Sequence, residues 1–316
     1  MLTVLALDDT RRLRLTKSQV NYLLIIKGAI VVQKTPEIVA GLYLVATPIG
    51  TASDISLRAL QVLGKVDLLV AEDTRTLRKL MIIHEISAGN RPILSYNDHN
   101  GSRQRSKILN ILSKNKSAAF VSDAGTPLIS DPGFRLVEAT IRQGYSIHTV
   151  PGASSVIAAI TVSGLPSDRF SFEGFLPTKK SEKTIFLTSF KFSKTTSVFF
   201  ERASRLSNTL KTMEELYGAK RRIAICRELT KKFEEVKRGT LGEINCYYGD
   251  KVAKGELVIV LAPGDVFDHD DLKIHKELKK AMRKFTFRDS VTHVADYLGL
   301  SRQRVYRLGL QVKEDT

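Results

Sequence analysis

SDAGTPLISDPG, residues 122–133, decides how this chain is read. The apolar residues 118–121 before it read as a buried strand, and FRLVEA (134–139) after it reads as a helix. Glycine, proline and aspartate between a strand and a helix mark a connecting loop, and in open α/β sheets ligands sit at the carboxyl ends of the strands. The loop is a ligand-site candidate, or else only a turn made by Gly125, Pro127, Pro132 and Gly133.

Outward from this loop the same unit recurs. Strands are expected at 42–46, 66–71, 92–96 and 145–150, each followed by a loop and a helical pattern. Ser53, for example, can cap a helix whose Ile55, Ala59, Leu60, Val62 and Leu63 share one face. The strand-end loops are TPIG (47–50), EDTR (72–75), NDHN (97–100), SDAGTP (122–127) and PGASS (151–155). Strand–helix units in series predict a doubly wound parallel sheet, with all five loops along one edge.

Beyond 164–166 the composition shifts. Strands are expected at 170–175, 197–200, 222–226, 233–238 and 256–262, with helices near 181–190, 204–216 and 240–248. The gap between the strands of 226–238 is too short for a crossover helix, so this second sheet should be mixed. The expected organisation is a basic extension over 1–40, a first α/β domain over 41–166, a second over 167–265 and a basic helical tail over 266–316. Residues 1–40 lack clear periodicity and read as a disordered arm or, in part, a product of start-site choice.

A hydrophobic content of 43% supports a packed core, and a formal charge of +16 favours a polyanionic partner such as nucleic acid. Cys226 and Cys246 form neither a CxxC pair nor a Cys/His cluster, which argues against a disulfide framework or a structural zinc. The apolar window 22–32 is interrupted by Lys27 and Gly28 and is too short to span a bilayer. A cytoplasmic protein without membrane attachment is expected. No GxGxxG follows the first strand and no GxxxxGK[ST] occurs, which disfavours nicotinamide dehydrogenases and P-loop NTPases.

GLYLVATPIG (41–50), VAEDTR (70–75), FVSDAGTPLISDPG (120–133), VPGASS (150–155), LPSDRFSFEGFLP (165–177), RELTKKFEEVKRGTL (227–241) and GELVIV (255–260) together resemble, in order, the motifs of the tetrapyrrole-methylase superfamily, most closely its ribosomal RNA branch. The resemblance covers about 41–263. It implies a two-domain tetrapyrrole-methylase-like fold in which the second domain closes a cleft over S-adenosyl-L-methionine. It also implies methylation of the ribose 2′-hydroxyl of a cytidine in the decoding region of 16S rRNA on the small ribosomal subunit, by a homodimer; because a sulfonium already carries an activated methyl group, no metal is expected. On the same footing Pro48 borders the cofactor, Asp123, Ala124 and Ile129 hold its methionine part, Ser154 follows the PG turn, and Leu229 lies near the adenine. Thr51 departs from the family's usual Asn, and Glu201-Arg202-Ala203-Ser204-Arg205 departs from a segment close to ESPHR.

A ribose hydroxyl is a weak acid, so attack on the methyl group needs a base or an acceptor within about 3 Å. Asp73 is the expected acceptor, with Arg75 orienting it or a neighbouring phosphate, and Asp98 and His99 are the alternates. Asp73 can equally cap the next helix and pair with Arg75. In the tail, 288–310 has Ala295, Gly299 and Val305 at helix-turn-helix spacing, with Leu298, Leu300 and Tyr306 as the packing face. Arg302, Arg304 and Arg307 on its second helix suit phosphate contacts, or the pair is simply a solvated helical hairpin. Lacking an aromatic platform, the tail is expected to hold the RNA backbone without selecting sequence. Two other functions fit less well. One is a small-molecule methylase acting on a tetrapyrrole or on diphthamide, which has no need of so basic a surface. The other is a non-catalytic RNA-binding assembly factor, which has no need of an intact 122–133 loop.

Overall fold

The computed structural model describes residues 2–6, 23–26, 29–33, 37–97, 100–249, 253–264 and 271–314. At the start of the chain β1 (Leu2–Ala6), β2 (Leu23–Ile26) and β3 (Ala29–Gln33) form an antiparallel sheet in the order β1-β3-β2. This corrects the reading of 1–40 as a patternless arm. LTVLA, LLII and AIVVQ are short continuous apolar runs, rich in β-formers, with no period-2 alternation to announce them.

The chain divides into two compact units, each described by itself. The first holds Gly41–Val45 (β4), Leu57–Lys65 (α1), Leu68–Ala71 (β5), Thr74–Ile83 (α2), Ile93–Ser95 (β6), Gly101–Leu112 (α3), Ser117–Val121 (β7), Phe134–Arg142 (α4) and Ile147–Val150 (β8). All pairings in its sheet are parallel, in the order β6-β5-β7-β4-β8. Successive side chains of a strand point to opposite faces, and every residue of β5 and β7 is buried, so both faces are covered there. The polar Ser117 is tolerated in β7 because Asp67 accepts from both its N–H and its hydroxyl, each at 2.8 Å. Arg91 donates to the carbonyls of Leu63, Val66, Ser87 and Ala88, closing the end of α1.

The second unit gathers the loop segments 46–56 and 124–132 with everything from Pro151. Its elements are α5 (Ser155–Ser163), β9 (Phe170–Phe175), α6 (Lys180–Thr188), β10 (Thr196–Arg202), α7 (Leu206–Tyr217), β11 (Arg222–Arg227), β12 (Glu235–Thr240), α8 (Leu241–Tyr248), β13 (Glu256–Leu261), α9 (Asp271–Met282), α10 (Phe287–Leu298) and α11 (Arg302–Glu314). The sheet order is β12-β11-β13-β10-β9, with β9 and β10 parallel and the other pairs antiparallel, which makes it mixed. Helix α5, expected with the first sheet, packs instead on the second. Val156, Ala159 and Ile160 join Val198, Ala224, Cys226, Val258 and Val260 in one cluster. SVIAAITVS offers several apolar faces, and burying one aliphatic side chain is worth roughly 1.5–3 kcal/mol, so contact rather than chain order decides its partner.

Helices α9, α10 and α11 share a core of Ile274, Leu278, Val291, Val294, Val305 and Leu308. Gly299 ends α10 in the left-handed conformation at φ 65°, and a Cβ there would sit 2.5 Å from the Phe192 ring, so both backbone and space require glycine. The tail is thus a three-helix body rather than a helical pair. Tyr306, expected in its packing face, is 50% exposed, and the inward position belongs to the fully buried Val305.

Candidate functional site

In the first unit the EDTR turn builds a compact charge cluster. Asp73 is the N-cap of α2, accepting from the Arg75 N–H at 2.8 Å. The Arg75 side chain reaches back to the same carboxylate, with Nε at 3.0 and 3.1 Å and Nη2 at 2.6 Å. These bonds to the side chain and backbone of Arg75 hold the Asp73 pKa down at about 2. The N–H of Asp73 in turn donates to Asp123 Oδ1 at 3.1 Å. Asp123 moves the other way. Loss of water on the inner side of its carboxyl, together with the neighbouring Asp73 charge, pushes its pKa above the ordinary carboxylate value against the pull of that hydrogen bond and of Arg75. Both expected roles of Asp73 as a cap and as a partner of Arg75 are present. The alternates Asp98 and His99 lie outside the described residues.

The second unit contains a cavity of about 360 Å³. Segments distant in sequence surround it: the loop 124–131, the start of α5, and the ends of β10, β11 and β13, with Ile49 and Phe175. Two of the bordering turns hold non-glycine residues in the left-handed region, Leu128 (φ 76°) and Ser130 (φ 64°) in one, Glu228 (φ 50°) and Thr230 (φ 62°) in the other. Such conformations cost on the order of 1 kcal/mol or more each and persist where the surroundings enforce them, commonly at binding sites. The enforcement is visible. Gly125 exchanges both backbone hydrogen bonds with Thr47, at 2.9 and 3.0 Å, and the Thr126 hydroxyl donates to the Ala153 carbonyl. Glu228 accepts from the Glu256 N–H at 2.9 Å and from Lys231 Nζ at 3.0 Å. A Cβ on Gly50 would lie 2.5 Å from Thr230 Oγ1 and 3.0 Å from the Leu229 carbonyl oxygen, so the close approach of the TPIG turn to the 228–231 turn requires glycine. The departure at Thr51 is accommodated here, because its hydroxyl and N–H both bond to Thr230.

Of the expected cofactor residues, Ala124, Ile129, Ser154 and Leu229 line this cavity. Pro48 does not, although its neighbour Ile49 does, and Asp123 belongs to the cluster of the first unit. Ser154 is the N-cap of α5 but makes no side-chain capping bond, which leaves first-turn N–H groups beside the cavity as donors for an anionic or carbonyl group. Ile49, Val156, Phe200, Leu229 and Val258 give apolar walls suited to a flat ring. Cys226 also lines it, but burial pushes its thiol up to about 12, so it packs as a neutral side chain.

Sequence reasoning missed Phe200, Glu201, Cys226 and Val258 as lining residues. The inward alternation of β11 and β13 could have found the last two. Glu201 is 2% exposed and is held by Arg205 Nη2 at 2.5 Å, Lys183 Nζ at 3.4 Å and the Thr209 hydroxyl at 2.7 Å. The ERASR segment therefore keeps a buried ion network despite lacking the usual histidine and proline.

In the tail, Arg302 and Arg307 are exposed, whereas Arg304 pairs with Asp271 at 3.1 Å. The expected absence of an aromatic platform is also corrected. The exposed Phe285, His293 and Tyr297 form a row, with ring centroids 5.4 and 6.5 Å apart and the last two rings parallel to within 5°. The i, i+4 spacing of 293 and 297 on α10 creates it. Among the described residues, no helix is long and apolar enough to cross a membrane.

A parallel sheet and a mixed sheet, with strained loops around a cavity in the second unit, define a two-unit α/β architecture. The family model "Tetrapyrrole (Corrin/Porphyrin) Methylases" matches residues 41–245, and the chain belongs to that family. Solved structures agree on the fold. A cobalt precorrin-4 methyltransferase of cobalamin biosynthesis superposes with a TM-score of 0.53 at 19% identity, over 70% of this chain and 94% of that one. A putative diphthine synthase from Entamoeba histolytica gives 0.51 at 16% identity, over 70% and 92%. Nearer in sequence are proteins named ribosomal RNA small subunit methyltransferase I. That of Mesorhizobium japonicum is 39% identical over 86% of this chain and 92% of its own length. That of Rickettsia prowazekii is 41% identical over 78% and 86%, and that of Thermotoga maritima 42% identical over 70% and 97%.

Proposed function

We propose that this protein transfers a methyl group from S-adenosylmethionine to the 2′-hydroxyl of a cytidine in the small-subunit ribosomal RNA, acting in the cytoplasm as a homodimer. The observation that carries the reading is the meeting of Ala124, Ile129, Ser154 and Leu229, drawn from three separate segments, around one cavity of ligand size. The names of relatives about 40% identical over most of the chain support the RNA substrate.

The residues present fit the cofactor. Leu229 and the apolar walls would hold its adenine, the 124–129 loop with Pro48 and Asp123 its methionine end, and the start of α5 at Ser154 would supply backbone donors. When bound, this group provides a methyl already activated on a sulfonium. What remains for the chain is positioning and proton acceptance. Asp73, kept ionised by Arg75, serves as the hydroxyl's acceptor. Arg302 and Arg307 hold RNA phosphates, with Arg304 partly committed to Asp271.

The test is methyl transfer from labelled S-adenosylmethionine to small ribosomal subunits, to naked small-subunit RNA, and to tetrapyrrole and diphthamide acceptors, followed by nucleoside mapping. Label in a 2′-O-methylcytidine is expected. Label only in a small molecule would replace the RNA reading, and no transfer to any acceptor would leave a binding protein.

A further inference from the structure

A second cavity in the second unit, of about 270 Å³, has no part in the chemistry above. It lies where α6 begins and α7 runs past it, and its lining carries four cations, Lys180, Lys183, Arg205 and Lys211, against Glu215. Glu201, buried behind it, engages Lys183 and Nη2 of Arg205. The rest of that guanidinium is unspent: Nε and Nη1 are buried and have no acceptor. A buried donor without an acceptor is costly, and each bare guanidinium N–H can give a charge-assisted hydrogen bond to a phosphate or carboxylate oxygen. Lys180 and Lys211 are exposed at the rim, with no acidic partner among the described ion pairs. Helix α6 adds an N-terminus whose N-cap, Lys179, makes no side-chain capping bond.

We propose that this cavity binds a phosphate of the RNA substrate, outside the methyl-transfer site. The assignment rests on the RNA reading above. The anion is a phosphodiester because the four cations surround a hollow rather than a flat patch, and because a substrate with many phosphates would supply one wherever the chain passes. Residues 200–205 connect the two cavities: Phe200, Glu201, Arg202 and Ala203 line the larger, Arg205 the smaller. A phosphate held by Arg205 would thus share the Glu201 network that borders the cofactor cavity.

The experiment uses the full chain, small-subunit RNA and a Lys180→Glu/Lys211→Glu variant, whose changes fall on exposed side chains and leave the buried Glu201 network in place. Affinity is measured against salt concentration, with S-adenosylmethionine affinity followed in parallel. Each lost phosphate contact lowers the slope of log affinity against log salt by about 0.7–0.9. The variant is expected to bind RNA at least about tenfold more weakly at moderate salt and to show this flatter slope, with cofactor affinity unchanged. Arg205→Lys, which keeps the charge but removes the two unpaired N–H donors, should show a smaller loss in the same direction. An unaltered slope in the double variant would overturn the pocket assignment alone. Failure of the unaltered protein to bind RNA would overturn the reading beneath it as well. Inorganic phosphate saturating the cavity without competing with RNA would assign it to a free anion and overturn the proposal.

Discussion

Asp73 and Asp123 end neighbouring strands of the same parallel sheet and share one hydrogen bond, yet they titrate in opposite directions. The EDTR turn surrounds its carboxylate with donors from one arginine, and the Asp73 pKa falls to about 2. The SDAG turn removes water from its carboxylate and faces it toward another negative charge, and the Asp123 pKa rises. Where neighbouring groups are driven apart in this way, their environments sort them into different tasks. Asp73, its pKa lowered to about 2, is ionised at neutral pH and suits a hydrogen-bond acceptor. Asp123 gains most from a cation arriving beside it, because such a partner stabilises its charged form.

The largest effect should come from Asp73→Asn. Turnover falls on the order of 10²-fold, the usual worth of a positioned proton acceptor, while cofactor affinity is retained. Full activity in single-turnover assays would remove Asp73 from the chemistry. Next comes Asp123→Asn, which weakens S-adenosylmethionine binding about tenfold or more, as for a lost charge-assisted hydrogen bond.

The pH dependence sharpens the contrast. Asp123 must be ionised to hold a cation, and its pKa is raised, so cofactor affinity should fall with decreasing pH in a window above the ordinary carboxylate value of about 3.9. In Asp123→Asn that limb disappears. Turnover at saturating cofactor carries no such limb from Asp73, whose titration lies near 2. The smallest effect belongs to Arg75→Ala, which lets the Asp73 pKa climb back towards the ordinary value, visible by NMR titration. A pKa still near 2 in that variant would mean that Arg75 is not the cause.

The sequence made the first sheet legible because its strands are short apolar runs separated by loops of glycine, proline and aspartate, a pattern local to each unit. The five loops, and four of the cavity residues, followed from that pattern and from the ordered motifs. What stayed hidden depends on partners far away in the chain. Glu201 becomes a buried network only through Lys183 and Thr209, and no spacing rule links those positions. The Gly50 approach to Thr230 joins residues 180 positions apart. The home of α5 was decided by which sheet offered apolar surface, and the strands at 2–33 were masked by a lack of alternation. The ring row on the tail was overlooked because its members look unremarkable until a helix places them in register.

The central claim, that the strained loops of the second unit enclose an S-adenosylmethionine site, is tested most directly by titrating the full chain with that compound in a calorimeter at neutral pH. The account predicts saturable binding of one molecule per chain, abolished by Leu229→Arg. Absence of heat at millimolar ligand, or undiminished binding by Leu229→Arg, would contradict it.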